Sequence, residues 1–252
     1  MPEIGGGTLL LLFLAGGMAG FVDSIAGGGG IITLPALLAA GVPPHQALAT
    51  NKLQSSFGSF TAALNYARLG LMNPKELLIG VLFTFVGAAT GATVVQWFPA
   101  DRLESLIVLM LIVIFIYTAL TPNLGMEPRP HRIPHALFYT AFGLFIGFYD
   151  GFFGPGTGSF WTMALVLLLG LDLKAATAQT KLFNFTSNIV SLGVFLYAGL
   201  VLWPVGVVMG AGQIAGAFLG SSLVHKREVK FIRLFFLAVV GATIVKLLYD
   251  SS

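Results

Sequence analysis

Ten apolar segments, parted by glycine, proline or isolated charges, occupy nearly the whole of this 252-residue chain. They run approximately over 5–24, 30–41, 45–69, 75–97 and 102–120, then 134–152, 158–170, 175–199, 203–224 and 229–249. A helix needs about 20 mostly apolar residues to cross the hydrocarbon core of a bilayer, and most of these segments are that long. Lipid offers no partner to a free amide or carbonyl, so spans of this length are expected to be helices that satisfy their own backbone. Only 9% of the residues are charged, against about 25% in a soluble domain, which is too few to cover a water-facing surface. The fold class expected is therefore all-α and polytopic, embedded in a lipid bilayer. The longest polar stretch, Thr121 to His135, leaves no room for a soluble domain.

Segments 30–41 and 158–170 are too short to cross alone. Each follows a glycine-rich break, so each is expected to form, with the segment before it, either a re-entrant hairpin or two shortened spans. The opening residues carry Glu3 and no Lys or Arg, which lacks the positive start of a signal peptide; Thr8 to Phe21 reads as part of a retained membrane helix. Trp97, Trp161 and Trp203 stand near segment ends, where an interfacial aromatic belt puts them; packing inside the protein is the other reading of each. The chain has no cysteine, which removes disulfides, thiol catalysis and thiolate metal sites together.

The sequence repeats itself. Gly20-Phe21-Val22-Asp23 matches Gly147-Phe148-Tyr149-Asp150, and Ala49-Thr50-Asn51-Lys52-Leu53 matches Ala178-Gln179-Thr180-Lys181-Leu182. Further on, Gly87-Ala88-Ala89-Thr90-Gly91-Ala92 matches Gly212-Gln213-Ile214-Ala215-Gly216-Ala217. Two homologous halves are expected, 1–125 and 126–252. If each short pair returns to its starting side and every other segment crosses, nine basic residues fall on one side: Arg68, Lys75, Arg129, Arg132, Lys174, Lys226, Arg227, Lys230 and Arg233. Arg102 and Lys246 fall on the other, which makes the first side cytoplasmic. The net charge of +3 follows this rule better than it suggests nucleic acid. The same scheme puts the turn at 68–76 inside and its equivalent at 199–204 outside, so the halves are expected to be inverted, as in many secondary transporters.

Lys52 and Lys181 are left over from that count, inside apolar segments at equivalent positions. An ionisable group is costly there, and it marks a functional site unless the long stem snorkels to the interface. Their neighbours Thr50, Asn51, Gln179 and Thr180 are polar, and Gln54, Ser55, Ser56, Asn184, Thr186, Ser187 and Asn188 extend the polar face; helix-packing contacts explain such residues equally well. Asp23 and Asp150 form a second symmetric pair ahead of the glycine breaks. Each is read as a proton-coupling group or partner of a lysine, or as a structural acceptor for amides of the broken helix. The breaks, with Gly28, Gly29 and Gly30 in one half and Gly156, Thr157 and Gly158 in the other, would aim free amides and a positive helix end at an anion. The second loop departs from a nucleotide phosphate loop because Ser159 and Phe160 follow Gly158 where a lysine is required. Of the four histidines, His45, His131, His135 and His225, the pair His131 and His135 has the spacing of a metal site, but Pro134 interrupts any helix between them and no acidic partner sits nearby, so they read as solvated loop histidines. No metal, cofactor or catalytic nucleophile is expected.

On these Gly-Phe-x-Asp loops, the Ala-Thr-Asn-Lys segment and its Gln-Thr-Lys counterpart, set on a duplicated apolar chain, the sequence resembles the sulfite exporter TauE/SafE family, also called the toluene sulfonate uptake permease family. The resemblance covers nearly the whole chain and is strongest at 20–70 and 147–200. It implies transport of small sulfur-containing or organic anions across a bacterial cytoplasmic membrane without ATP. The expectation is a multi-pass secondary transporter, not an enzyme, with a central anion site between the halves. Its partners are a small anion, protons and lipid; its oligomeric state is not readable. An uncoupled anion channel is the alternative, followed by a membrane-embedded enzyme or receptor.

Overall fold

The computed structural model describes residues 5–103, 105–107, 109, 113 and 133–224. Among them the chain is helical, without a β-strand: α1 Gly6–Ala26, α2 Gly29–Ala39, α3 Pro44–Arg68, α4 Leu78–Val94, α5 His135–Phe152, α6 Thr157–Leu169, α7 Leu173–Tyr197 and α8 Trp203–Val224. Short 3-10 turns at Pro74–Leu77 and Val95–Trp97 flank α4, and residues 100–103 open a further helix. These eight helices lie within two residues of the expected segments once the turns around α4 are included. Most of the rest of the 102–120 segment, the 229–249 segment, His131, His225 and most of the charges that set the orientation lie outside the described residues.

Local chemistry explains the boundaries. Pro43 and Pro44 open α3, where a missing amide costs nothing, and Asp172 caps α7 by accepting from the amides of Lys174 and Ala175 at 2.9 and 3.0 Å. α3 and α7 end in the same turn, with Leu71 N donating to Tyr66 O and Leu200 N to Phe195 O.

Among the described residues, three stretches are long and apolar enough to cross a membrane, Gly6–Ile25, Pro74–Trp97 and Trp203–Leu223. With 25 residues each, α3 and α7 reach about 38 Å, also enough to span. They fall short in apolarity because Asn51, Lys52, Gln54, Thr180, Lys181 and Asn184 lie on them, and all six are buried. Large apolar side chains such as Leu11, Leu82, Phe145 and Leu219 are exposed instead, an arrangement that suits lipid outside and polar groups inside. α2 and α6, with 11 and 13 residues, reach only about 16 and 20 Å and are too short to cross.

The two most extensive helix pairings cross between the halves, α1 with α8 and α4 with α5. Both are lined by glycines four apart. A Cβ on Gly16, Gly20, Gly212 or Gly216 would fall under 3.0 Å from the backbone of the facing helix, and so would one on Gly87, Gly91, Gly147 or Gly151. Small residues allow this backbone contact where lipid supplies no hydrophobic drive between helices. Trp161 is fully buried and stacks on Phe183 with ring centroids 4.4 Å apart, so it belongs to the core; Trp97 and Trp203 are exposed.

Candidate functional site

The two helix breaks meet at the centre. A Cβ on Gly27, where φ is +72°, would fall under 3.0 Å from the backbone of Gly158, and Ser159 Oγ donates to Gly27 O at 2.9 Å. A side chain at either glycine would force the breaks apart, so the breaks must be glycine for α2 and α6 to start side by side.

The polar faces of α3 and α7 close on this junction and carry the lysines to the opposite half. Lys52 Nζ lies 2.6 Å from Asp150 Oδ1 and donates to Asp150 O at 2.5 Å. Lys181 Nζ lies 3.2 Å from Asp23 Oδ2 and also donates to Asp23 O. Each lysine of one half is therefore neutralised by the aspartate of the other. Both lysines are buried to 1% exposure or less, which excludes snorkelling to an interface.

The aspartates differ in their remaining contacts. Asp23 Oδ1 accepts from the amides of Gly28 and Gly29 at 3.0 and 3.3 Å, so it caps α2. Asp150 Oδ2 accepts from Ser187 Oγ. Between the breaks lies a cavity that leaves about 20 Å³ for the centre of a water-sized sphere, room for a water or two or a compact ion. Its walls include Asp23, Asp150, Gly28, Gly29 and Gly30, with Gly154, Gly156, Thr157 and Gly158 from the second loop. Asn51, Ser55, Asn184, Asn188 and Gln213 complete it from the helices.

Most of the residues singled out by sequence come together here. Five lie elsewhere: Ser56 and Thr186 donate to carbonyls of their own helices, Lys52 O and Leu182 O, and the other three bond to neighbouring elements. Thr50 Oγ1 accepts from Leu202 N at 3.1 Å, Gln179 Oε1 accepts from Tyr139 at 2.9 Å, and Thr180 pairs with Thr162 at 3.1 Å. Gln213 is the wall residue that sequence analysis passed over. It donates from Nε2 to Gln54 Oε1 at 2.5 Å, and Gln54 donates in turn to Asn51 Oδ1 at 2.7 Å. Its repeat counterpart is Ala88, so a polar residue appearing on only one side of the repeat was the signal available. No group of three or more His, Cys, Asp or Glu side chains that would hold a metal occurs among the described residues.

Comparison with known proteins places these features in a wider set. The family model described as sulfite exporter TauE/SafE matches residues 12–247. The chain is 46% identical over 252 residues to a probable membrane transporter protein, ORF9, of Sinorhizobium sp, covering 100% of this chain and 97% of that one. It is 45% identical over 241 residues to the probable membrane transporter protein YfcA of Escherichia coli K12, covering 96% and 90%. It is 42% identical over 249 residues to a probable membrane transporter protein of Haemophilus influenzae, covering 99% and 98%.

Proposed function

The chain belongs to the sulfite exporter TauE/SafE family and is a multi-pass membrane transporter rather than an enzyme; from that premise we propose that it is a proton-coupled secondary transporter of small sulfur-containing or organic anions across the bacterial cytoplasmic membrane. The observation that carries the reading is the crossed pairing of Lys52 with Asp150 and Lys181 with Asp23 around the central cavity. A buried lysine is an anion site already occupied by an internal carboxylate. A small oxyanion that reaches Lys52 or Lys181 competes with that carboxylate, and the carboxylate it releases would be left charged and unpaired in a dry interior. Such a charge costs several kcal/mol unless a proton neutralises it. Anion entry and proton uptake are thereby linked at one site, which gives Asp23 and Asp150 their coupling role.

The halves 1–125 and 126–252 act in this reading as inverted repeats, and transport rocks one against the other around the fixed site. The matched Gly-x-x-x-Gly crossings support it, since each joins the first helix of one half to the fourth helix of the other. The breaks at 27–28 and 153–156 border the cavity through Gly28, Gly154 and Gly156, as broken helices border the site in other transporters.

The test is transport of sulfite in proteoliposomes under an imposed pH gradient. Accumulation against the sulfite gradient, abolished when the pH gradient is collapsed, is the expected result. Flux that only dissipates the sulfite gradient would make the protein a channel.

A further inference from the structure

We infer that the transported oxyanion is held on the α3 wall of the cavity, by Asn51 Nδ2 and the Ser55 hydroxyl, and that Gln54 is the positioning residue that presents both as donors. The inference rests on the anion-transport reading above and names the contacts that the anion makes.

Asn51 lines the cavity and is 3% exposed. Its Oδ1 accepts from Thr33 Oγ1 at 2.5 Å and from Gln54 Nε2 at 2.7 Å. With the oxygen held on one side, the amide nitrogen is left on the other, without a partner among the described residues. Such a nitrogen can only donate. Gln54 Nε2 also donates to Ser55 Oγ at 2.8 Å, so the one proton of that hydroxyl is left for the cavity, which Ser55 lines as well. Asn51 and Ser55 are four residues apart on α3, where side chains are neighbours. Two neighbouring donors suit two oxygens of one small sulfite-like or carboxylate-like anion, and hydrogen bonds to a charged acceptor are the stronger kind.

Gln54 is kept from turning over because Gln213 Nε2 occupies its Oε1 at 2.5 Å. Gln213 reaches α3 through space left by two glycines: a Cβ on Gly20 or Gly58 would fall under 3.0 Å from Gln213 Oε1. The second half cannot build this wall. Its counterparts of Asn51, Gln54, Gly58 and Gln213 are Thr180, Phe183, Ser187 and Ala88, and Thr180 pairs with Thr162. The other two wall asparagines are not presented in this way: Asn188 Nδ2 is spent on Ser59 Oγ at 3.4 Å, and nothing holds Asn184 Oδ1. Asp23 and Asp150 line the same cavity but each is paired with a lysine, so an anion at Asn51 meets no uncompensated negative charge.

Calorimetry of sulfite binding to the purified protein in lipid nanodiscs tests the assignment. Asn51→Leu removes the donor at similar volume and is expected to weaken binding at least about tenfold. Asn51→Asp keeps an acceptor for Thr33 and Gln54 and puts an oxygen in place of the nitrogen. No measurable binding is expected from it, and it carries the test if the leucine variant is not recovered. Gln54→Met should weaken binding about threefold or more in the parent but add less than about twofold in the Asn51→Leu background, because a positioning residue acts through the contact it positions. Affinity within about threefold of the parent in the recovered Asn51 variant overturns the contact. Unchanged affinity in Gln54→Met, or losses that simply add in the double variant, overturns the positioning role. A parent that binds none of sulfite, sulfate, thiosulfate and acetate sinks the transport reading itself, an outcome distinct from variants that bind as well as their parent.

Discussion

Lys52 on α3 and Asp150 on α5 meet at 2.6 Å although 98 residues separate them. Lys181 and Asp23 repeat the relationship in the opposite sense across 158 residues. Each pair ties one half of the chain to the other at the point where both helices break, so the ion pairs are structural ties and, in the proposed transport reading, the competitor for substrate.

Removing one member of a buried pair strands the other charge, at about 3–5 kcal/mol, whereas removing both together is often close to neutral. Lys52→Met and Asp150→Asn should each lower the thermal unfolding temperature strongly, and the double variant should recover most of the loss. Lys52→Met combined with Asp23→Asn should show no such recovery, because it strands a charge in both pairs. Recovery in the second combination instead of the first would contradict the crossed pairing.

Binding gives a separate readout of the lysines. Two unit charges about 4 Å apart interact by about 4 kcal/mol at an effective dielectric near 20. Lys52→Met and Lys181→Met keep the apolar stem and discard the charge, so loss of an anion contact should weaken sulfite binding on the order of a hundredfold or more. A loss confined to one lysine would place the substrate closer to one half than to the axis between them. Calorimetry in nanodiscs decides it, and affinity within about threefold of the parent for both would remove the lysines from the site.

The coupling role of the carboxylates predicts a loss of proton dependence with shape retained. Asp150→Asn should leave sulfite exchange between the two faces of a liposome measurable while uphill, pH-driven accumulation fails. Wild-type pH dependence in both Asp23→Asn and Asp150→Asn would confine the carboxylates to a structural role.

Helix packing predicts a contrast among glycines. A Cβ on Gly216 would fall under 3.0 Å from the backbone of Gly17, while one on Gly193 meets nothing within 4 Å. Gly216→Ala should destabilise the protein by about 1–3 kcal/mol, seen as a lower unfolding temperature in the same detergent, and Gly193→Ala should leave it within a degree or two of the parent.

Because the chain has no native cysteine, single cysteines report topology directly. Inverted halves require Met72→Cys and Val201→Cys, which stand in equivalent turns after α3 and α7, to react with impermeant maleimide from opposite faces of the membrane. Labelling from the same face would dispose of the inversion.

The helices and their limits were legible in the sequence because the physics that sets them is local. Backbone groups in lipid must pair within their own segment, and prolines, glycines and the Asp172 cap act within a turn of where they stand. The buried face of α3 and α7 was legible too, since a lysine in an apolar run has few places to go. What lay beyond reach was which helix each face meets. Lys52 stands one turn from other polar groups of its own helix, yet its partner is Asp150; Gln213 completes a wall only because α8 packs on α3; Trp161, set near a segment end, is buried because α7 brings Phe183 to it. The asymmetry of the two breaks has the same origin. A single hydroxyl, Ser187 against Gly58, redirects one aspartate and leaves the other capping its helix. Its effect depends on three helices converging, which no periodicity along one chain segment encodes.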